Sequence, residues 1–177
     1  MGQPKTRIEL SEGDLLLDRI HRVVAQVGLP VTLVGQGPIT ARAADLERIQ
    51  DAPGVPGPLG GLLAALDHDT SAGWLIAACD LPLIRPEAIE WLIGQREAAR
   101  TAILPRIAEH RIEPLFALYE PGASQLLRTI SRSGSPAPKR LEHQPGVVTP
   151  EPPLDLRACW SNINTPDQLA ALGLRAL

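Results

Sequence analysis

A chain of 177 residues, 44% of them hydrophobic, is long enough to bury a sizeable core as one domain. Its formal net charge of -3 gives no electrostatic reason to expect nucleic acid, and aromatics at 3% leave few platforms for stacking bases. No apolar run approaches a membrane span and no charged-then-apolar leader begins the chain, so the expected compartment is the cytoplasm, with no membrane partner.

From the amino terminus, Ile8 and Leu10 fit a short extended segment before the Ser11-Glu12-Gly13 turn. Asp14 is placed to cap a helix whose Leu16, Ile20, Val23, Val24 and Val27 share a face, and Gly28 closes it. Val31 to Val34 is a short β-branched strand that turns at Gly35-Gln36-Gly37-Pro38. Residues 39–50 are ambiguous, with a helix or loop from Ala41 and an edge strand near Arg48-Ile49. Asp51 opens a Pro- and Gly-rich loop that ends at Pro58. Pro58 suits a first helical position, and Leu59, Leu62, Leu63 and Leu66 follow at helical spacing. Trp74 to Cys79 reads as a strand buried on both faces.

Beyond Pro82, a helix from Pro86 carries Ile89, Leu92 and Ile93 on one side. Thr101 to Leu104 is a strand candidate, Ile107 extends an adjoining one, and Glu109-His110-Arg111 makes its turn. Pro114 to Tyr119 is a further strand, and a helix runs from Ala123 to about Ile130. Ser131 to Lys139 is expected to be a mobile polar loop, Leu141 to Val148 is mixed, and Pro150 to Pro153 is irregular. Ala158-Cys159-Trp160 is expected as a last short strand. Thr165-Pro166-Asp167-Gln168 is a helix start with a Thr cap, Pro at the first position and Gln three residues on. Alternating strands and helices argue an α/β sandwich on a largely parallel sheet.

Asp80 is the strongest chemical candidate. A carboxylate at the end of a buried strand is costly unless solvated, paired or bound to a cation, although it could simply cap the Leu81-Pro82 turn. Ligands in open α/β sheets sit beyond strand ends, where a glycine-rich helix start can also hold phosphates. Gly57 to Gly61 is such a start. Gly60-Gly61 costs helix stability, a cost that close approach of a flat ring to the backbone would justify. Together the two features suggest a nucleotide with Mg2+, which needs only one or two protein carboxylates.

Lys5 on its own is an ordinary surface charge and Asp51 an ordinary turn residue. Asn162 and Asn164, two apart, would share a face of an extended segment, or serve only local hydrogen bonds. His21, His68, His110 and His143 have no metal-site spacing and read as surface residues. Cys79 and Cys159 form no metal pattern and are not expected to pair. Neither a Gly-x-Ser-x-Gly elbow nor a Gly-x4-Gly-Lys-Ser/Thr loop is present.

Six segments occur in the order typical of molybdenum cofactor guanylyltransferases, which the chain therefore resembles end to end. They are Met-Gly-Gln-Pro-Lys at 1–5, Asp51, Gly-Pro-Leu-Gly-Gly at 57–61, Cys-Asp-Leu-Pro at 79–82, Glu-Pro-Leu-Phe-Ala-Leu-Tyr at 113–119 and Asn-Ile-Asn-Thr-Pro-Asp-Gln-Leu at 162–169. The resemblance implies a single Rossmann-like nucleotidyltransferase domain over residues 1–177, a three-layer α/β sandwich with a mostly parallel central sheet. It implies transfer of GMP from GTP to molybdopterin with release of pyrophosphate. By the same resemblance Lys5 contacts phosphates and Asp51 helps bind the nucleoside. Gly57, Pro58 and Leu59 lie against guanine, Asp80 holds Mg2+, and Asn162 and Asn164 belong to a segment that closes the active site. Molybdoenzymes or their chaperones are the further partners it suggests.

Members of that family begin with an apolar strand and a Leu-Ala-Gly-Gly-like loop just before the Met-Gly segment. This chain is accordingly read as N-terminally truncated relative to them. Two other readings stay open. One is a sister transferase acting on CTP and molybdopterin or on a sugar phosphate; the other is a non-catalytic nucleotide- or partner-binding module.

Overall fold

The computed structural model describes residues 15–133 and 136–163. Helix α1 (Leu16–Gln26) leads to β1 (Thr32–Val34) and β2 (Glu47–Ile49), followed by α2 (Pro58–His68), β3 (Trp74–Ala77) and α3 (Pro86–Gly94). Strands β4 (Ala102–Ile103), β5 (Arg106–Ala108), β6 (Arg111–Ile112) and β7 (Phe116–Tyr119) come next, then α4 (Ala123–Ser131) and β8 (Val147–Val148).

The first helix buries Leu16, Ile20, Val23 and Val24, the stripe expected from its spacing. It starts at Leu15 with no side-chain cap; Asp14, expected in that role, lies outside the described residues, as do Ile8, Leu10 and Thr165 to Gln168. Gly28, at φ 75°, takes the left-handed turn that stops the helix, a conformation glycine adopts without strain. The ambiguous stretch after β1 resolves into a 3-10 turn, Ala41–Ala43, and the edge strand β2. Thr40 ties this turn to α1: its hydroxyl donates to the buried Asp18 carboxylate and accepts the Ala43 N–H at 3.3 Å.

Strands β1 and β2 pair in parallel. A separate sheet has the order β3-β7-β4-β8, in which β7 is antiparallel to both of its neighbours and β8 runs parallel to β4. The short β5–β6 hairpin turns at Glu109 and His110. Alternation along the strands divides the interior into two clusters. Leu75, Ala77, Phe116 and Leu118 face α1 and α3, while Trp74, Ile76, Ala117 and Tyr119 face α2 and α4. The result is the three-layer α/β sandwich expected, with a mixed set of strand directions.

Three segments differ from the sequence-based expectation. Strand β3 ends at Ala77, and its four residues are only half-buried although their sequence suits a fully covered strand. The second edge of β3 pairs with no strand among the described residues, and a cavity of about 940 Å3 runs along it. Ala158 to Trp160 is part of a 3-10 helix, Arg157–Trp160, and not a strand. Cys159 and Trp160 are buried while Ala158 is exposed, and Trp160 is held by stacking, not by pairing. Trp160 stacks on Phe116 with ring centroids 4.8 Å apart, and its indole N–H donates to the Phe116 carbonyl at 2.8 Å. In the stretch expected to be a mobile loop, Ser131 ends α4, and Lys139 lies in a 3-10 helix, Pro138–His143, anchored by the buried Pro138 and Leu141.

Helix α2 starts at Gly57, whose φ of 68° no other residue type adopts readily, with Pro58 at the first helical position. A Cβ added at Gly60 would stand 2.5 Å from the Val55 carbonyl oxygen, so the glycine lets the loop fold back on its own helix. Gly60→Ala is expected to cost roughly 1–3 kcal/mol by overpacking, despite alanine's better helix propensity. Gly94→Ala, where a Cβ meets nothing within 4 Å, is expected to gain up to about 1 kcal/mol. Denaturant unfolding of both variants checks the contrast.

Candidate active site

Asp51 follows β2 and is held in a nest of glycines. Its Oδ2 lies 3.4 Å from where a Cβ on Gly35 would stand, and its Oδ1 lies 3.2 Å from the same position on Gly61. Gly35 ends β1 at φ 96°, and Arg48 clamps the adjoining turn, donating from Nε to the Gly35 carbonyl and from a terminal nitrogen to Gly37, both at 2.7 Å. The loop is closed from the other side where Ala52 N–H donates to the Gly60 carbonyl at 3.0 Å. The chain thus exposes one carboxylate beside an uncapped helix start. Asp51, Gly57, Pro58, Gly61, Gly35 and Gln36 all line the same cavity.

The residues named from the sequence take different places. Asp51, Gly57 and Pro58 meet at the mouth of that cavity. Leu59 is fully buried in the core between α2 and α4, so any contact it makes to a ligand is through its backbone. Asp80 is half-buried just beyond the end of β3, next to the cavity-lining Cys79. Asn162 is half-buried beside it, because Ile163 N–H donates to the Asp80 carbonyl at 3.0 Å and draws that segment against the strand end. Lys5 and Asn164 lie outside the described residues. The Asp80-Leu81-Pro82 turn is fixed from α1, where Arg19 Nε donates to the Pro82 carbonyl at 2.7 Å. Cys79 and Cys159 are not joined in a disulfide. His68, His110 and His143 are exposed, and His21 is half-buried.

Sequence reasoning missed Glu113. The β3–β7 register pairs Trp74 with Tyr119 and Ala77 with Phe116, and Ala78 N–H continues it by donating to the Leu115 carbonyl at 2.7 Å. Beyond Ala77 both chains turn out of the ladder, and Asp80 and Glu113 emerge at the same strand end, near enough for their charges to interact. Like charges brought together there repel. Burial is the main cause raising the Glu113 pKa above the ordinary carboxylate range, and the Asp80 charge adds to it. The Leu115 N–H, which donates to Glu113 Oε1 at 3.0 Å, and the charge of Arg111 oppose the shift. The signal was present in the acid heading the 113–119 strand, but only the pairing register gives it a partner.

Asp80 and Glu113 therefore supply two hard oxygen donors at one strand end, a set that fits Mg2+ better than a soft metal. A cation there would offset both the burial of the Glu113 carboxylate, the main cause of its raised pKa, and the smaller repulsion from Asp80. Among the described residues no larger cluster of metal-binding side chains occurs. No described helix is long and apolar enough to cross a membrane.

Comparison with known proteins gives the family of the chain. Residues 1–144 match the MobA-like NTP transferase domain family. A probable molybdenum cofactor guanylyltransferase of Pelotomaculum thermopropionicum is 30% identical over 176 residues, covering 96% of this chain and 83% of that protein. A protein of the same name from Trichormus variabilis is 32% identical over 178 residues, covering 97% and 84%. The crystal structure of molybdopterin-guanine dinucleotide biosynthesis protein A from Archaeoglobus fulgidus superposes with a TM-score of 0.74 at 27% identity, covering 96% of this chain and 89% of that one.

The raised Glu113 pKa has a sign. A carboxyl that binds its proton more tightly when folded contributes stability below its unfolded pKa, and loses it as pH rises through the raised folded value. Thermal unfolding in chelator is expected to show stability falling with pH from the ordinary carboxylate range upward. Glu113→Gln should flatten that slope.

Proposed function

This chain belongs to the MobA-like NTP transferase domain family, and we propose that it transfers GMP from GTP to molybdopterin, releasing pyrophosphate. The observation that carries the reading is the nested Asp51 carboxylate beside the Gly57–Pro58 helix start, at the mouth of one cavity. An ionised carboxylate only accepts hydrogen bonds, so Asp51 takes them from hydroxyl or N–H donors of the nucleoside. Gly57, which has no side chain, lets the flat base approach the backbone of the turn closely, with the Pro58 ring beside it. The preference for guanine over cytosine rests on the resemblance of this turn to that of guanylyltransferases.

At the far end of the triphosphate, Asp80 would hold Mg2+ with Glu113 at the same strand end. The ion, when bound, neutralises charge on the phosphates as it shifts toward pyrophosphate. Lys5 serves the same phosphates by the same resemblance. An anionic phosphate oxygen of molybdopterin attacks the α-phosphorus in line with the leaving pyrophosphate. The nucleophile needs no deprotonation, so no side chain has to act as general base. The Ile163 bond to the Asp80 carbonyl supports a role for Asn162 in closing the site, the role its resemblance gives it. A cytoplasmic location and contacts with molybdoenzymes or their chaperones belong to this reading.

Asp80→Ala and Lys5→Ala are each expected to lower turnover at least about 100-fold with the unfolding midpoint nearly unchanged. Asp51→Asn is expected to raise KM for GTP about tenfold or more, with a smaller effect on kcat. The measurements are pyrophosphate release with molybdopterin, and calorimetric titration with GTP and CTP in Mg2+. Full activity in Asp80→Ala, or CTP bound as tightly as GTP, overturns the reading.

A further inference from the structure

The turn at Gly35-Gln36-Gly37 has to be held from outside, because two of its three residues are glycines and Gly35 stands at φ 96°. Glycine has the most conformational freedom to lose, so such a turn keeps one shape only under constraint. The constraint comes from three consecutive residues, Arg48, Ile49 and Gln50. Gly35 N–H donates to the Ile49 carbonyl at 2.9 Å, and Gln36 Nε2 donates to Gln50 Oε1 at 3.2 Å. Arg48 donates from Nε to the Gly35 carbonyl and from a terminal nitrogen to the Gly37 carbonyl, both at 2.7 Å.

These ties are unequal. The Ile49 bond continues the β1–β2 pairing and reaches no farther than Gly35. The Gln36–Gln50 bond joins two exposed neutral amides, for which water competes. The Arg48 bonds are charge-assisted, and one planar guanidinium spans both ends of the turn. Although the Arg48 side chain is exposed, its donors go to backbone carbonyls, and no acid among the described residues forms an ion pair with it. A cation kept only for surface charge has no reason to take that geometry.

What the turn supports is Asp51. Its carboxylate stands between the turn and α2, with Oδ2 3.4 Å from a Cβ position on Gly35 and Oδ1 3.2 Å from one on Gly61. On the α2 side the backbone is fixed where Ala52 N–H donates to the Gly60 carbonyl at 3.0 Å. The other side is the clamped turn. Arg48 lies three residues before Asp51, so clamp and acid are carried by the same end of β2. Gly35, Gln36, Gly37, Arg48 and Asp51 all line one cavity.

We propose that Arg48 is a positioning residue for nucleotide binding, which orients the Asp51 carboxylate by clamping the Gly35–Gly37 turn beside it. The inference rests on the reading of Asp51 as a nucleoside-binding group. Without the clamp the turn and the carboxylate sample more arrangements, and the ordering is left to be done when the ligand arrives. The loss falls on affinity. Asp80 and Glu113 belong to other segments, after β3 and before β7, so the groups at the phosphates keep their places.

The experiment titrates GTP in Mg2+ into the wild-type full chain, Arg48→Ala and Arg48→Lys by calorimetry. Each titration is repeated in non-denaturing guanidinium chloride and in matched sodium chloride, and pyrophosphate release gives KM and kcat. Arg48→Ala is expected to raise Kd and KM for GTP about tenfold, with kcat changed less than about twofold. Arg48→Lys keeps the charge but not the planar fork, and is expected to stay within about threefold of Arg48→Ala. Guanidinium ion should recover most of the lost affinity in Arg48→Ala and leave the wild type unchanged. Unaltered affinity in Arg48→Ala, full recovery by Arg48→Lys, or no recovery by guanidinium overturns the inference. If the wild type binds GTP tightly in any of those outcomes, the transferase reading stands without it. Wild-type chain that binds CTP as tightly as GTP overturns the guanylyl reading alone, and the Arg48 comparison is then decided with CTP. Wild-type chain that binds neither nucleotide overturns both.

Discussion

The antiparallel ladder between β3 and β7 governs both the packing of the core and the grouping of carboxyls at the strand ends. Strand β7 is buried along its whole length with a neighbour on each side, and the stacked rings of Phe116 and Trp160 lock it to the C-terminal segment. Because pairing fixes register, the ladder determines which residues stand together where the strands end. It brings Asp80 and Glu113 out at the same strand end, and the Ile163 bond ties the segment that carries Asn162 to Asp80.

The second constraint is steric. Asp51 keeps a defined orientation because Gly35 and Gly61 leave room for its two oxygens, and Gly60 lets the Val55 carbonyl approach the helix. Each glycine weakens its element locally: Gly35 adopts a left-handed backbone, and Gly60 and Gly61 stand in the first helical turns. The common result of these costs is one acceptor group beside a helix start with no side-chain cap. Binding constellations gain from such pre-organisation because less ordering remains to be done when the ligand arrives.

The cavity along β1 and β3 relates the fold to the site. Half-burial of an entirely apolar strand is a local inconsistency, since Trp74 to Ala77 has the composition of a strand covered on every side. Among the described residues β1–β2 and β3-β7-β4-β8 are separate sheets, and Asp51 follows a strand of the first while Asp80 follows a strand of the second.

Local chemistry was readable from the chain by itself. Apolar spacing located α1, α2, α3 and α4, Gly28 and Gly57 marked helix ends, and the acid after an apolar run singled out Asp80. The resemblance then gave Asp51 and Lys5 their roles. These signals are short-range, carried by propensity, caps and periodicity within a few residues. What only the tertiary structure decided is which segments pair. Ala158 to Trp160 has strand composition but stacks on Phe116 as a 3-10 helix, because no sheet edge reaches it. Glu113 heads a legible strand, yet it becomes the partner of Asp80 only through the β3–β7 register. The need for glycine at 60 comes from the Val55 carbonyl, five residues away around a loop. Pairing, register and close approach are long-range facts, set by burial of the whole chain and not by the preferences of any one stretch.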